Sequence, residues 1–119
     1  MVYEMKQIGP EHDYALGDFE VLVLLSLVRL GPEAYGASVR RDIEARTGRD
    51  LAISAVYVTI DRLELKGLVR TRVGAPTTQR GGRRRKHAIV TAAGERATRA
   101  AYHTFRSMVA GLEERFGRR

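Results

Sequence analysis

The chain has 119 residues, 44% of them hydrophobic, with no cysteine and a formal net charge of +7. That size supports one domain with a modest core that a partner subunit would help to complete; the lack of cysteine excludes a disulfide framework and a thiolate metal site, and the lack of a long apolar run excludes a membrane span. The charge is uneven: residues 1–50 hold 6 Lys/Arg against 9 Asp/Glu, while residues 51–100 hold 11 against 3, so the second half is suited to face a polyanion.

Residues 1–16 are polar and carry Gly9 and Pro10, which predicts a loose N-terminal arm whose Tyr3, Met5, Ile8, Tyr14 and Leu16 could dock on a neighbouring surface. The arm has no basic region followed by an apolar block, so no secretory signal is expected and the cytoplasm is the default compartment. A first helix is expected from Gly17 or Asp18 to Leu30, with Glu20 near its positive end. Only Glu20, Ser26 and Arg29 interrupt its apolar surface, and a helix apolar nearly all round is a buried one. Gly31 and Pro32 stop it.

The spacing of Val39 and Ile43 predicts a second helix over about Tyr35 to Thr47, with Arg40, Arg41 and Arg46 outward and Gly48 as its C-terminal signal. A short turn, in which Leu51 and Ile53 can plug the core, leads to LAISAVYVTIDRLELKGLVR at 51–70. There Ser54 is a good N-cap, Val56, Ile60 and Leu63 recur at helical spacing, and Gly67 sits where a left-handed cap is wanted. The third helix is therefore expected over Ala55 to Lys66. Its other face is read as Ala55, Thr59, Arg62 and Lys66: small at the tip, then hydrogen-bonding, then cationic, as a helix entering a major groove requires. An ordinary solvated helix face would look the same on this stretch alone.

After Gly67 the period changes to 2. LVRTRV at 68–73 and RKHAIV at 85–90 read as two strands of a hairpin, joined by a loop containing Gly74, Pro76, Gly81 and Gly82. Arg80, Arg83, Arg84, Arg85 and Lys86 crowd its tip. Such a run alone is usually a solvated loop, but directly after a helix-turn-helix it reads as a phosphate-binding wing. Thr91 caps a final helix, with Gly94 as its weak point. Ala97, Ala101, Phe105, Met108 and Leu112 recur along it at spacings of 4, 4, 3 and 4. Drawn from Ala92 to Phe116 it would be roughly 38 Å long, too long for a three-helix core to cover.

Catalytic chemistry finds no support. His12, His87 and His103 have no ligand-like spacing to Asp or Glu, RGGR lacks the ending of a phosphate loop, and Ser54 and Thr91 serve better as caps than as nucleophiles. Neither a metal nor a cofactor is expected. Tyr57, near the tip of the third helix, is read either as packing between helix and wing or as a phosphate contact, and the ring and hydroxyl can do both. The N–H groups of Tyr35 and Gly36 are candidates to bind a phosphate, with simple capping as the alternative.

The stretches LGDFEVLVLLSLVRLGPEAYGASVRRDIEARTG at 16–48, AVYVTIDRLELKGLV at 55–69 and GGRRRKHAIVTAAG at 81–94 resemble the PadR-like winged-helix transcriptional regulators, with Tyr57, Leu63, Gly67 and Leu68 as a fairly specific motif. The resemblance implies a homodimeric repressor of the short type, with one C-terminal helix forming the dimer. It also implies a small aromatic or flat apolar effector near that interface. The chain departs from the family at Val58, where Pro or Ala is usual, and at His87 and Ala88, where wing aromatics are common.

The expected fold is thus mainly α with a small β-hairpin: a winged helix-turn-helix at 17–91 between the arm and a dimerisation helix at 92–119. The residues expected to meet DNA are Tyr35, Gly36 and Arg40; Ser54, Ala55, Tyr57, Val58, Thr59, Arg62 and Lys66; and Arg80, Arg83, Arg84 and Arg85. Ala97, Ala101, Phe105, Met108 and Leu112 are the expected dimer interface. A two-fold dimer implies an inverted-repeat double-stranded operator. A winged helix docking an acidic protein, or one binding RNA, is the alternative.

Overall fold

The computed structural model describes residues 16–76 and 84–117. The arm therefore lies outside the described residues except for Leu16, which packs against the core. Helix α1, Asp18–Leu30, starts where Glu20 turns its carboxylate back to accept the Gly17 N–H at 2.9 Å, half of a capping box. Val23, Leu24 and Leu27 enter the core. The expectation of a helix buried all round fails: Leu25 and Val28 stay exposed, because the other elements of one chain cover only one side of α1. Ser26 is buried despite its hydroxyl, which donates to Asp42 at 2.7 Å and so does not go unsatisfied.

Gly31, at φ 81°, opens a short 3-10 turn over Gly31–Glu33. Helix α2, Gly36–Thr47, buries Val39 and Ile43 and ends at Gly48 in the left-handed conformation. Helix α3, Ile53–Leu65, begins earlier than expected, with Ala52 rather than Ser54 at the N-cap. The connection is fixed in another way. The Leu51 N–H donates to the Glu44 carboxylate at 2.8 Å, and Leu51 and Ile53 pack against the core, so the helix starts where Ile53 can pack. Ser54 is left exposed in the first turn and caps nothing. At the other end Gly67, at φ 78°, allows Gly67 N–H to reach Glu64 O and Leu68 N–H to reach Leu63 O, the closure of a Schellman motif.

Strands β1, Val69–Pro76, and β2, Arg84–Val90, form the antiparallel hairpin, regular from Val69↔Val90 to Val73↔Lys86 and irregular between Val73 and Pro76. Val69 and Ala88 close the bottom of the core. A further pairing went unread in the sequence. Tyr35 forms an antiparallel bridge with His87, and Ala88 N–H donates to Ala34 O at 2.9 Å. A single bridging residue has no period by which to announce itself.

Helix α4, Ala92–Val109, is capped by Thr91, whose Oγ1 accepts the Gly94 N–H at 3.0 Å. It does not continue to Phe116. Ala110 and Gly111, the latter at φ 90°, turn the chain before a single helical turn α5, Glu113–Phe116. The rod is therefore about 27 Å long rather than the expected 38 Å, and the breaker is a glycine in a conformation other residues avoid.

Gly94 also has a role the sequence reading missed. It is buried, and a Cβ placed there would lie 2.0 Å from the backbone oxygen of Leu68. Its absence of side chain lets α4 pass against the start of β1. Helix propensity alone predicts that Gly94→Ala stabilises the chain by up to about 1 kcal/mol; the packing predicts the reverse, a loss of at least about 1–3 kcal/mol. Urea unfolding of the variant beside the parent separates the two.

Candidate nucleic-acid interface

Side chains on α3 rotate by about 100° per residue. With Val56, Ile60 and Leu63 buried, the opposite side carries Ser54, Val58, Asp61 and Leu65, all exposed. Ala55 and Arg62 form one exposed flank and Tyr57 the other. The stripe expected to read DNA was placed too far toward the core. Thr59 is only 4% exposed, and its hydroxyl donates to Ala55 O at 2.8 Å. Lys66 is turned inward to Glu20, its Nζ 3.1 and 3.0 Å from the two carboxylate oxygens. Neither side chain is oriented to a groove. Ala55, Thr59, Arg62 and Lys66 do share a side of the helix, but that side is the shoulder of the buried face. Taking the position directly opposite Val56, Ile60 and Leu63 would have found Asp61 and Leu65.

The ring of Tyr57 lies over Gly36, where a Cβ would come within 2.3 Å of it. Of the two readings for this ring, packing holds, but against α2 rather than the wing. The close approach of α2 to α3 thus depends on a glycine at position 36. The Tyr35 N–H donates to Ser38 Oγ at 3.0 Å, so capping prevails there and that N–H is not available to a phosphate.

Tyr35 instead joins the wing to α2. The Arg85 guanidinium lies 4.3 Å from its ring centroid and that of Arg41 6.0 Å, both within cation–π range. Arg41 also donates to the Tyr35 hydroxyl at 3.3 Å. This hydrogen bond, opposed by burial and helped by the charges of Arg85 and Arg41, holds the phenol below its usual pKa. His87 meets the same ring edge-on at 6.0 Å and donates from Nδ1 to Glu33 O at 2.9 Å. On the other side of the hairpin, Lys86 reaches Asp61 of α3 at 3.8 Å, and Thr71 donates its hydroxyl to Glu64 at 2.9 Å. The wing is held between α3 and the start of α2.

Of the cations expected at DNA, Arg62 and Arg84 are exposed, Arg85 is exposed but stacked on Tyr35, and Arg40 is half-buried and 3.5 Å from Glu44. Arg80 and Arg83 lie outside the described residues. The interface stripe also divides. Ala97 is buried in the chain's own core and Ala101 is half-buried, whereas Phe105 and Met108 are 71% and 74% exposed. Leu112 lies beyond the break, at the cap of α5.

Residues 24–100 match the model of the transcriptional regulator PadR-like family. The chain belongs to that family. Its members are transcription regulators, so this PadR-like chain is not an enzyme. Among solved structures, it is similar to a PadR family transcription regulator from hypervirulent Clostridium difficile, at 21% identity and a TM-score of 0.69, over 85% of this chain and 100% of that one. A PadR family regulator from Eggerthella lenta matches at 24% identity and 0.62, over 83% and 84%. A winged-helix DNA-binding protein from STIV matches at 21% and 0.66, over 83% and 98%. No match to a curated protein was found. The fold is a winged helix, and no helix among the described residues is long and apolar enough to cross a membrane.

In this PadR-like chain the orientation of α3 is set from behind by Glu20 and Lys66, which join residues 46 positions apart. Burial pushes the Glu20 carboxyl up, but the Gly17 N–H, the Lys66 ammonium and the more distant Arg62 outweigh it, and the pKa ends below the ordinary value. A carboxyl depressed on folding contributes stability that is complete above its unfolded pKa and lost as pH falls through the folded one. Asp42 behaves alike: burial raises it, and Ser26, Arg46 and Arg29 lower it further. Glu20→Gln should therefore cost about 1–3 kcal/mol at neutral pH, and the gap to the parent should narrow once the medium is acidic enough to protonate Glu20. Denaturant unfolding in both conditions measures it; a constant gap would mean that packing, not charge, is what Glu20 supplies.

Proposed function

We propose that this PadR-like regulator is a cytoplasmic, homodimeric repressor that binds an inverted-repeat double-stranded operator. The observation that carries this reading is the junction of the helix-turn-helix with the wing: the exposed side of α3 and the cations Arg84 and Arg85 lie on elements joined by Lys86 to Asp61 of α3, and the wing is held to the start of α2 by Arg85 on Tyr35. One rigid helix face enters a major groove while a cationic hairpin reaches adjacent phosphates. Arg62 reads a base edge from the flank of α3, and Ser54, Ala55 and Tyr57 lie close to the backbone at its tip. Phe105 and Met108 support the dimer, since two large apolar side chains stand in water on α4, each with about 1.5–3 kcal/mol to gain from burial. A small aromatic effector bound beside α4 would fit the same assembly.

The two basic elements should fail in different ways. Replacing Arg84 and Arg85 by Ala weakens operator and random DNA to a similar degree, and each lost phosphate contact flattens the log–log salt dependence by about 0.9. Arg62→Ala costs the operator roughly 1–3 kcal/mol more than random DNA and leaves most of the salt slope intact. Affinities for both duplexes across a salt series decide it. The reverse pattern would place the reading head in the wing, and tight binding to acidic proteins or RNA with none to duplex DNA would replace the proposal.

The dimer has its own test. Phe105→Glu together with Met108→Glu should give monomers by sedimentation, with much weaker operator binding and an unchanged far-ultraviolet spectrum. If the variant still sediments as a dimer, the interface lies elsewhere, with exposed Leu25 and Val28 of α1 the next surface to change.

A further inference from the structure

The outward stripe of α3 has a composition unusual for a surface that meets a polyanion. Its central residues are an aliphatic one, Val58, 51% exposed, and an acidic one, Asp61. A valine gains nothing from phosphate, and a carboxylate is repelled by it. Both nevertheless sit opposite Val56, Ile60 and Leu63, at the centre of the face that Arg62 only flanks. Three residues apart on a helix, their Cβ atoms are about 5–6 Å from each other, within two base-pair steps.

Resting on the reading of α3 as the groove-entering helix, we infer that Val58 and Asp61 form a pyrimidine-reading pair: Val58 packs on the C5-methyl of a thymine and Asp61 accepts from the N4 amino group of a nearby cytosine. In the major groove the thymine methyl is the apolar group that an aliphatic side chain can cover. An ionised carboxylate can only accept, and cytosine N4 is the donor suited to it. Guanine shows only acceptors, N7 and O6, on that edge, and adenine places its N7 acceptor beside its amino group, so purines repel a carboxylate in part or in full. Lys86, 3.8 Å from Asp61 on the wing strand, offsets the repulsion between that carboxylate and the phosphates, so the acid is tolerated at the interface and spends its charge on base choice. Because Lys86 belongs to the wing, seating of the hairpin and placement of the reading carboxylate are coupled.

The test uses the full chain and a duplex it selects from a random-sequence pool. The selected half-site should contain a thymine and a cytosine within two steps on one strand. Rebuilding that duplex with deoxyuridine in place of thymine removes the C5-methyl groups, and affinity should fall about fourfold for the contacted base. The fall should persist in Val58→Ile and disappear in Val58→Ser. Asp61→Asn should relax the preference for cytosine roughly tenfold and admit adenine, which an amide reads well. Val58 is exposed, so unchanged thermal unfolding should accompany the effects of its variants. Asp61→Asn removes a charge that phosphates repel and releases Lys86, so it should bind random DNA no more weakly than the parent while losing the preference for cytosine. Equal binding of the thymine and deoxyuridine duplexes, with the selected duplex still preferred over random DNA, would overturn the pyrimidine pair and leave the repressor reading in place. Selection that enriches no sequence would remove the repressor reading itself, and the pair with it.

Discussion

A two-stranded hairpin is at best marginally stable in water, so the position of β1 and β2 depends on what else they touch. Here they are held on both sides. Ala88 N–H bonds to Ala34 O and His87 bridges Tyr35, which adds one backbone pairing beyond the hairpin's own ladder. On the α3 side, Thr71 binds Glu64 and Lys86 faces Asp61. In the DNA complex we propose, a wing that kept its fold but shifted relative to α3 would hold its cations and the helix face at the wrong separation for phosphates and base edges. Tyr35 is the residue where these constraints meet, since its backbone pairs with β2, its N–H helps cap α2, and its ring carries Arg85.

The 21 lysines and arginines overstate the cations available to a polyanion. Arg29 of α1 binds Asp42 of α2 at 2.8 Å and so ties the two helices, and Arg46 binds the same carboxylate from within α2 at 3.0 Å. Arg72 pairs with Glu33 and Lys66 with Glu20. Arg85 differs in kind. Stacking on a ring satisfies one face of a guanidinium while leaving its edge N–H groups able to donate, so it is positioned without being consumed. A guanidinium already held in place loses less rotamer freedom when it meets a phosphate than one on a free side chain.

Much of the architecture was legible because it rests on local signals of strong physical meaning. Glycines at 31, 48 and 67 stop three helices at positive φ, and Thr91 caps the fourth. The errors arose where tertiary contacts overrode a local rule. Ser54 has the right chemistry for an N-cap, but anchoring of Leu51 and Ile53 moves the start of α3 upstream. Gly94 looks like a helix defect until Leu68 O is found where its Cβ would be. Thr59 and Lys66 share a helix side with Arg62, but how far a core wraps around a helix is a property of its neighbours. For α3 the wrap reaches Thr59 and, through Glu20 on α1, draws in Lys66. The family was legible from the order of elements and the wording of α2, α3 and the wing, which the match over residues 24–100 bears out.

The proposed reading head carries one consequence for assembly. A methyl contact, a single carboxylate acceptor and the base contact of Arg62 give limited discrimination at one half-site, at best the low end of the factor of 10³–10⁷ that typically separates specific from non-specific binding. Phosphate contacts from the wing cannot supply the difference, because they strengthen both kinds of complex alike. Discrimination must then come from coupling two heads. When two modules are joined rigidly, binding of the first makes the second intramolecular, and the free-energy differences of the two half-sites add. The join must be stiff to keep the heads at a fixed helical spacing. In the homodimer we propose, α4 meets that requirement: it is a continuous helix of 18 residues, rooted in the core through Ala97 and Thr98 and crossing the start of β1 at Gly94. The small contact set on α3 and the exposed phenylalanine and methionine on α4 thus belong to one physical solution, in which specificity is built by geometry between protomers more than by any single side chain.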